Sequence, residues 1–203
     1  RIRSLRDFAS TKGMEPDEMY AWDERVRAAL WSHRQERPRP ALDDKVLTDW
    51  NGMMVVALCK AHRHLGRGNA LTLAERAIDF LDRNMVRDGM LYHTHRQGEV
   101  GVPSLLDDHA YLAWARLEMY FATFDKRHLE RCLDLVEEMM SLFLDREDGG
   151  FYLSRDDPDL LIRTKDLYDG AYPSGNSVAY YVLTQLAALF NDPRTRDALE
   201  GLE

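Results

Sequence analysis

Two kinds of helix alternate along this chain, and the alternation limits what it can fold into more than any other feature. Apolar spacing predicts helices over about residues 17–35, 47–65, 69–84, 107–124, 127–144 and 174–190, with a last, incomplete one starting near Pro193. Those beginning at Leu47, Asp107 and Ser174 are apolar nearly all round. Met53 to Leu58, Ala110 to Ala115 and Val178 to Leu183 leave almost no wet face, so each helix is expected to be buried on both sides. The helices between them set one apolar stripe, such as Leu73, Ala77, Ile78 and Leu81, against a charged face. Inner and outer helices therefore take turns.

A repeat underlies the alternation. Asp88-Gly89-Met90-Leu91-Tyr92 returns 60 residues later as Asp148-Gly149-Gly150-Phe151-Tyr152, so each unit is helix, helix, small hairpin. Short strands are expected at Met90–Tyr92, before a Gln97-Gly98 turn, and at Gly150–Leu153 and Leu160–Ile162. Repeated αα-hairpins in two layers imply an all-α fold, an α/α toroid or an α-solenoid. Residues 1–46 read as a peripheral helix and linker, their first 14 charged and unpatterned, and residues 47–203 as the toroid domain. The inner-to-outer links near Gly66 and Asp125 are short, whereas the outer-to-inner links, 85–106 and 145–173, are long and hold the unusual residues.

With 203 residues the chain can bury one sizeable core, and it opens on Arg1-Ile2-Arg3 without an initiator Met, as an excised fragment would. A formal charge of -8 and a pI near 5.4 argue against nucleic acid or anionic lipid as the main partner. No apolar run approaches the roughly 18 residues of a membrane span, and there is no signal-peptide core. A soluble, cytoplasmic protein is expected. Cys59 and Cys132 each sit among apolar residues of a predicted helix and read as reduced, buried thiols.

If the inner helices run the same way, their N-termini meet at one end. Each carries a polar motif there: Asp49-Trp50-Asn51-Gly52, Asp107-Asp108-His109 and Ser174-Gly175-Asn176-Ser177. N-capping is the plain role for any one of them, but a shared cavity accounts for all three. The loop ahead of the third motif is dense in hydrogen-bonding groups: Arg163, Lys165, Asp166, Asp169, Tyr172, Ser174 and Asn176 offer both charge signs to a polyhydroxylated ligand. Asp107-Asp108 and Asp43-Asp44 are paired carboxylates, raw material for general acid and base work or, equally, a cap plus an ion-pair partner, with Asp44 facing Lys45 or Arg163. His109 could shuttle protons or be a hydrogen-bonded core histidine. His93 and His95 would share one face of a predicted strand, yet spacing shows no third ligand, so no metal and no cofactor is expected. Trp50 and Tyr172, at the helix mouths, are placed to stack on sugar rings. Without a Gly-rich phosphate loop, a Gly-x-Ser-x-Gly elbow or a Cys-x-x-Cys pair, nucleotide, serine-hydrolase and redox readings lose support.

Four ordered motifs carry a resemblance. The run Arg37 to Gly52, with Asp43-Asp44-Lys45 and Asp49-Trp50-Asn51-Gly52, then Leu106-Asp107-Asp108-His109-Ala110, Gly149-Gly150-Phe151-Tyr152 and Asp169 to Ser177 resemble the helical part of the YyaL family. That family includes the spermatogenesis-associated protein 20 homologues. The resemblance covers roughly residues 15–190. It implies a partial (α/α)6 toroid like that of six-hairpin glycosidases and N-acylglucosamine 2-epimerases, cut from a longer protein that also has a thioredoxin-like domain. It does not place the epimerases' catalytic histidines on any residue here. The expected function is a carbohydrate-active or carbohydrate-binding toroid with Asp107 or Asp108 as acid/base. Asp44, Lys45, Trp50, Asn51, Arg163, Lys165, Asp169, Tyr172, Ser174 and Asn176 would bind a sugar or sugar acid. The rival expectation is a non-catalytic peptide- or protein-binding module working with the thioredoxin-like domain. Apolar inner helices at open edges favour a homodimer.

Overall fold

The computed structural model describes residues 4–190. They divide into two units meeting between Asp43 and Asp44. The first holds α1 (Leu5–Lys12) and α2 (Pro16–Gln35). Sequence periodicity missed α1 because it has only two turns, but its ends carry local signals. Ser4 Oγ accepts from the Asp7 N–H at 3.1 Å, the Asp7 carboxylate accepts from the Ser4 N–H, and Gly13 closes the helix at φ 65°.

The second unit holds α3 (Thr48–Leu65), α4 (Gly68–Asn84), α5 (Leu106–Thr123), α6 (Lys126–Phe143) and α7 (Gly175–Leu189), with short strands β1 (Val46–Leu47), β2 (Val86–Arg87), β3 (Met90–Leu91), β4 (Thr94–Arg96) and β5 (Glu99–Val100). The helix expected near Pro193 lies outside the described residues. Helices α3, α5 and α7 lie side by side in one direction. Near their starts Asp49 meets Asp108, and near the ends of α3 and α5 Arg63 bonds Glu118 at 2.8 Å. Trp114 of α5 packs on Tyr181 of α7, ring centroids 5.1 Å apart. Helix α4 backs α3, and α6 backs α5. No helix among the described residues is long and apolar enough to cross a membrane.

Of the three inner helices only α5 is buried all round, from Leu106 to Met119 nearly without interruption. On α3, Trp50 and Met54 stay 57% exposed, and on α7 Tyr180 stays 40% exposed. The reason is position: α5 has an inner neighbour on each side, while α3 and α7 have α5 alone among the described residues. Cys59 and Cys132 are free and buried in this core, as their apolar surroundings predict, and burial pushes both thiols up to about 12.

The long links are built as hairpins. Asp88 and Gly89, both at positive φ, turn β2 into β3, and Gln97-Gly98 does the same for β4 and β5. In the second copy the ladder shrinks to one bridge, Leu144 with Phe151, and residues 160–162 form loop rather than strand. Strand β1 pairs with β4, Val46 opposite His95 and Leu47 opposite Thr94, which ties the start of α3 to the first long link.

Helix α3 lies against the α5 backbone at Gly52. A Cβ built there would lie 3.0 Å from the Tyr111 carbonyl carbon and oxygen, which are backbone atoms with little freedom to yield. Gly52→Ala is therefore expected to lower stability by about 1–2 kcal/mol, overpacking outweighing the gain in helix propensity. A urea midpoint equal to or above that of the parent chain would show that the two helices are not in that contact.

Candidate functional site

The site begins with a register. After Leu47 pairs with Thr94, the Thr48 N–H donates to the His93 carbonyl at 3.0 Å and Thr48 Oγ1 to the Tyr92 carbonyl at 2.7 Å. His93 sits at a bend between these contacts and β4, which breaks the strand alternation. It does not share a face with His95, whose ring lies edge-on to Phe80 with centroids 5.5 Å apart. His93 instead reaches the first turn of α5, where Nδ1 is 2.9 Å from Asp108 Oδ1.

Asp108 is fully buried and takes two further bonds: the Leu105 N–H donates to Oδ2 at 2.8 Å, and the Asp49 N–H to Oδ1 at 3.2 Å. One carboxylate thus holds a helix start, the neighbouring inner helix and the hairpin loop. Asp49, buried on the next helix, accepts from the Trp50 N–H, and burial beside Asp108 raises its pKa. Asp107 faces the third inner helix, where the Gly175 N–H bonds it. Its Oδ1 is buried with no hydrogen-bond partner. Burial, with Asp49, Asp108 and Asp166 nearby, pushes the Asp107 carboxyl up to about 6. Gly175 is required beside it, since a Cβ would land on Asp107 Oδ1 and on Leu106.

The N-termini of α3, α5 and α7 therefore do converge, through Asp49, Asp108, Asp107 and Gly175. Ser174 is the true N-cap of α7, accepting from the Ser177 N–H at 3.2 Å. Asp169 fixes its approach by accepting from the Ser174 N–H at 2.9 Å, a bond that lowers its pKa. Tyr111 Oη donates to the Pro173 carbonyl at 2.6 Å and anchors the same loop. Tyr172 is 42% exposed and Trp50 57%, so both aromatics present open surface.

Other sequence candidates are spent on structure. His109 points to the outer layer, with Nε2 3.3 Å from Glu138 Oε2 and its ring against Phe143, so it does not join the Asp107-Asp108 pair. That bond, with one from Arg131, brings Glu138 down to about 2. Asn176 is buried and closes on the second long link: Oδ1 accepts from the Phe151 N–H at 2.8 Å, and Nδ2 donates to the Phe151 and Asp166 carbonyls at 2.9 and 3.0 Å. Lys165 bonds Asp145 at 2.7 Å and the Gly149 carbonyl. The Arg163 guanidinium donates to the Ser154 and Leu142 carbonyls and lies 4.2 Å over the Tyr152 ring. Asn51 donates to the Leu47 carbonyl at 2.8 Å. Asp44 pairs with Arg96 and Gln97 at the exposed edge of β4, not with Arg163, and Lys45 follows it at the surface.

Sequence reasoning read Asp49 as a helix cap or part of a shared cavity and His93 as a strand histidine without a third ligand, because the β1–β4 register that brings His93 to Asp108 is not visible in the sequence. Asp49, His93 and Asp108 each offer one ligand atom within 4.8 Å of the others, a set that could hold a metal ion. A groove of about 980 Å³ opens elsewhere, between α4 and α6, and within its lining Arg116 pairs with Asp82, Arg127 with Asp125 and Arg131 with Glu138.

Two outcomes follow from these geometries. Asn176→Ala strands three backbone groups of the long link and is expected to cost about 2–4 kcal/mol by urea denaturation; a cost under about 1 kcal/mol would mean the clamp is idle. The Asp107 carboxyl holds its proton to about 6 when folded, against 3.8 in its ordinary state, so its ionisation opposes folding. That penalty is absent below 3.8, grows as pH rises towards 6 and is complete above it. Asp107→Asn should then stabilise the chain by about 1–3 kcal/mol at pH 8 and by much less near pH 4. A gain that does not depend on pH, or a loss at pH 8, would contradict the placement of Asp107.

Comparison with known proteins places this geometry in context. No protein-family model matches the chain. Spermatogenesis-associated protein 20 of Rattus norvegicus is 33% identical over 198 residues, covering 92% of this chain and 25% of the relative. The Homo sapiens protein of that name is 34% identical over 169 residues, 77% of this chain and 22% of the relative. Among solved structures, a cellobiose 2-epimerase from Bacillus thermoamylovorans superposes with TM-score 0.62 at 16% identity, over 78% of this chain and 43% of that one. A family 76 glycoside hydrolase (mannosidase) from Bacteroides thetaiotaomicron gives TM-score 0.63 at 14% identity, over 81% and 44%. An inactive α-1,6-mannanase variant from Salegentibacter, with two consecutive aspartates changed to asparagine and α-1,6-mannotriose bound, gives 0.60 at 11%, over 77% and 46%. At such identities these likenesses show the fold: helical hairpins of an (α/α)6 toroid. The chain belongs to the spermatogenesis-associated protein 20 family, of which it spans about a quarter of a member's length.

Proposed function

We propose that this chain forms the polar end of a toroid that binds and acts on a carbohydrate, with Asp107 as proton donor. The observation that carries the reading is Asp107 itself. Its carboxyl titrates near 6, one oxygen lacks a partner, and it stands where three inner helices begin. A carboxylic acid that keeps its proton close to neutral pH is what protonating a sugar oxygen needs. Exposed Trp50 and Tyr172 supply apolar faces for a pyranose ring. The solved neighbours include enzymes of sugar epimerisation and mannoside hydrolysis, and in one of them replacing two consecutive aspartates accompanies inactivity. Asp107-Asp108 is such a pair.

A protein-docking reading draws on one feature, the loop after Asp159, where Leu161 is 100% exposed and Ile162 77%. That loop lies on the surface of the second long link and does not explain the unpartnered acid.

A thermal-shift series of the full chain against α-1,6-mannobiose, cellobiose and glucuronate tests the proposal. One of these sugars is expected to raise Tm by about 3–5 °C at ten times its Kd. On that sugar, Asp107→Asn should retain binding while turnover falls at least about 100-fold. No shift with any of the three, or undiminished turnover in the variant, would remove the assignment.

A further inference from the structure

We propose that His93 is the proton-accepting group of this site and that Asp108 is its positioning residue rather than a second acid or base. The inference rests on reading the site as one that acts on a hydroxylated ligand, and it assigns the half of the proton traffic that Asp107 does not carry.

The geometry divides the two neighbouring aspartates. Asp108 has no exposed surface, and three donors on three segments satisfy it: the Leu105 N–H, the Asp49 N–H and His93 Nδ1. A carboxylate so enclosed cannot reach a ligand, but it can set the tautomer of the imidazole it holds. Nδ1 lies 2.9 Å from Asp108 Oδ1, so the hydrogen between them is assigned to Nδ1 and the free lone pair to Nε2. The bond from the Thr48 N–H to the His93 carbonyl fixes the backbone at this bend, and the His93 side chain keeps 20% exposure where that of Asp108 has none. The acidic groups nearest it are Asp49 from α3 and Asp107 and Asp108 from α5.

The exchange balances. Nε2 takes a proton from a water beside the ligand, the O–H bond breaking as the N–H bond forms; the water oxygen bonds to the sugar carbon as that carbon's bond to its leaving oxygen breaks, and the imidazolium is held by Asp108. Asp107 gives its proton to the ligand oxygen that leaves. Afterwards the proton on Nε2 passes through solvent to the Asp107 carboxylate, which restores both groups.

The test is made on the full chain labelled with nitrogen-15 at histidine. Long-range nitrogen–proton spectra of the unmodified protein are expected to show His93 with hydrogen on Nδ1 and an unprotonated Nε2 at high pH. Diethylpyrocarbonate should then modify His93 at least about tenfold faster than His109, whose Nε2 faces Glu138. In Asp108→Asn the tautomer should switch and modification should slow; if that variant does not fold, Asp108→Glu serves for the same comparison. Hydrogen on Nε2 in the parent chain, or a His93 that resists modification, would overturn the proposal. So would tight binding of zinc or manganese ions that abolishes the His93 signals, because His93, Asp49 and Asp108 would then be metal ligands. Addition of α-1,6-mannobiose or cellobiose separates the two readings. Movement of the Nε2 signal supports both, whereas the expected tautomer and reactivity with no response to any sugar would uphold the His93–Asp108 pair and remove the carbohydrate.

Discussion

One buried carboxylate organises the end of this molecule where the chemistry is read. Asp108 accepts from the start of its own helix, from the neighbouring inner helix and from the hairpin loop, so three segments far apart in sequence share a single acceptor. Removing it would leave two buried backbone N–H groups and an imidazole without partners, a cost of several kcal/mol in aggregate. That dependence explains why the first long link is a hairpin at all. Only the β1–β4 pairing delivers His93 to the right turn of α5, and only with His93 in place is the carboxylate fully satisfied.

The second long link solves a similar problem without strands. A loop that crosses the end of a helical bundle brings polar backbone into partly dry surroundings, and each such group needs a partner. Here side chains supply them. Asn176 closes on Phe151 and Asp166, Lys165 on Asp145 and Gly149, and Arg163 on Leu142 and Ser154. Asp145, held well below the usual carboxylate range first by Lys165 and then by Tyr152 and backbone N–H groups, is the counterpart of Asp108 in this link. The loop is thereby fixed over α7 so that Gly175 presents its N–H to Asp107.

This division shows what sequence carried and what it hid. The alternation of helix types located α3 to α7, and the Asp-Gly turns marked the hairpins, because both depend on neighbours within a few residues. The polarity of residues 163–176 was equally visible, but its purpose was not. Arg163, Lys165 and Asn176 look the same on paper whether they face a ligand or a backbone carbonyl, and burial decides between the two. His109, which the sequence left open between a proton shuttle and a core histidine, is the latter: next to Asp108 in sequence, it lies about 100° further round the helix and so faces α6. His93 was hidden because its role needs a bend that period-two reasoning does not contain.

The electrostatics follow from the same packing. Asp49, Asp107 and Asp108 lie close together with restricted access to water, and three ionised carboxylates there would repel one another strongly. The protein treats them unequally. Asp108 receives the donors and the histidine, whereas Asp107 receives one backbone N–H and must hold a proton to near 6. Such inequality between adjacent carboxyls sets a fully hydrogen-bonded acceptor beside a group that can give up hydrogen. It costs stability, because an Asn at position 107 would keep the Gly175 bond without the penalty of ionisation. Closing the inner helix ends at the junction of α3, α5 and α7 does not by itself require such an acid, so the cost sits with the proposed proton-donor role of Asp107 rather than with packing.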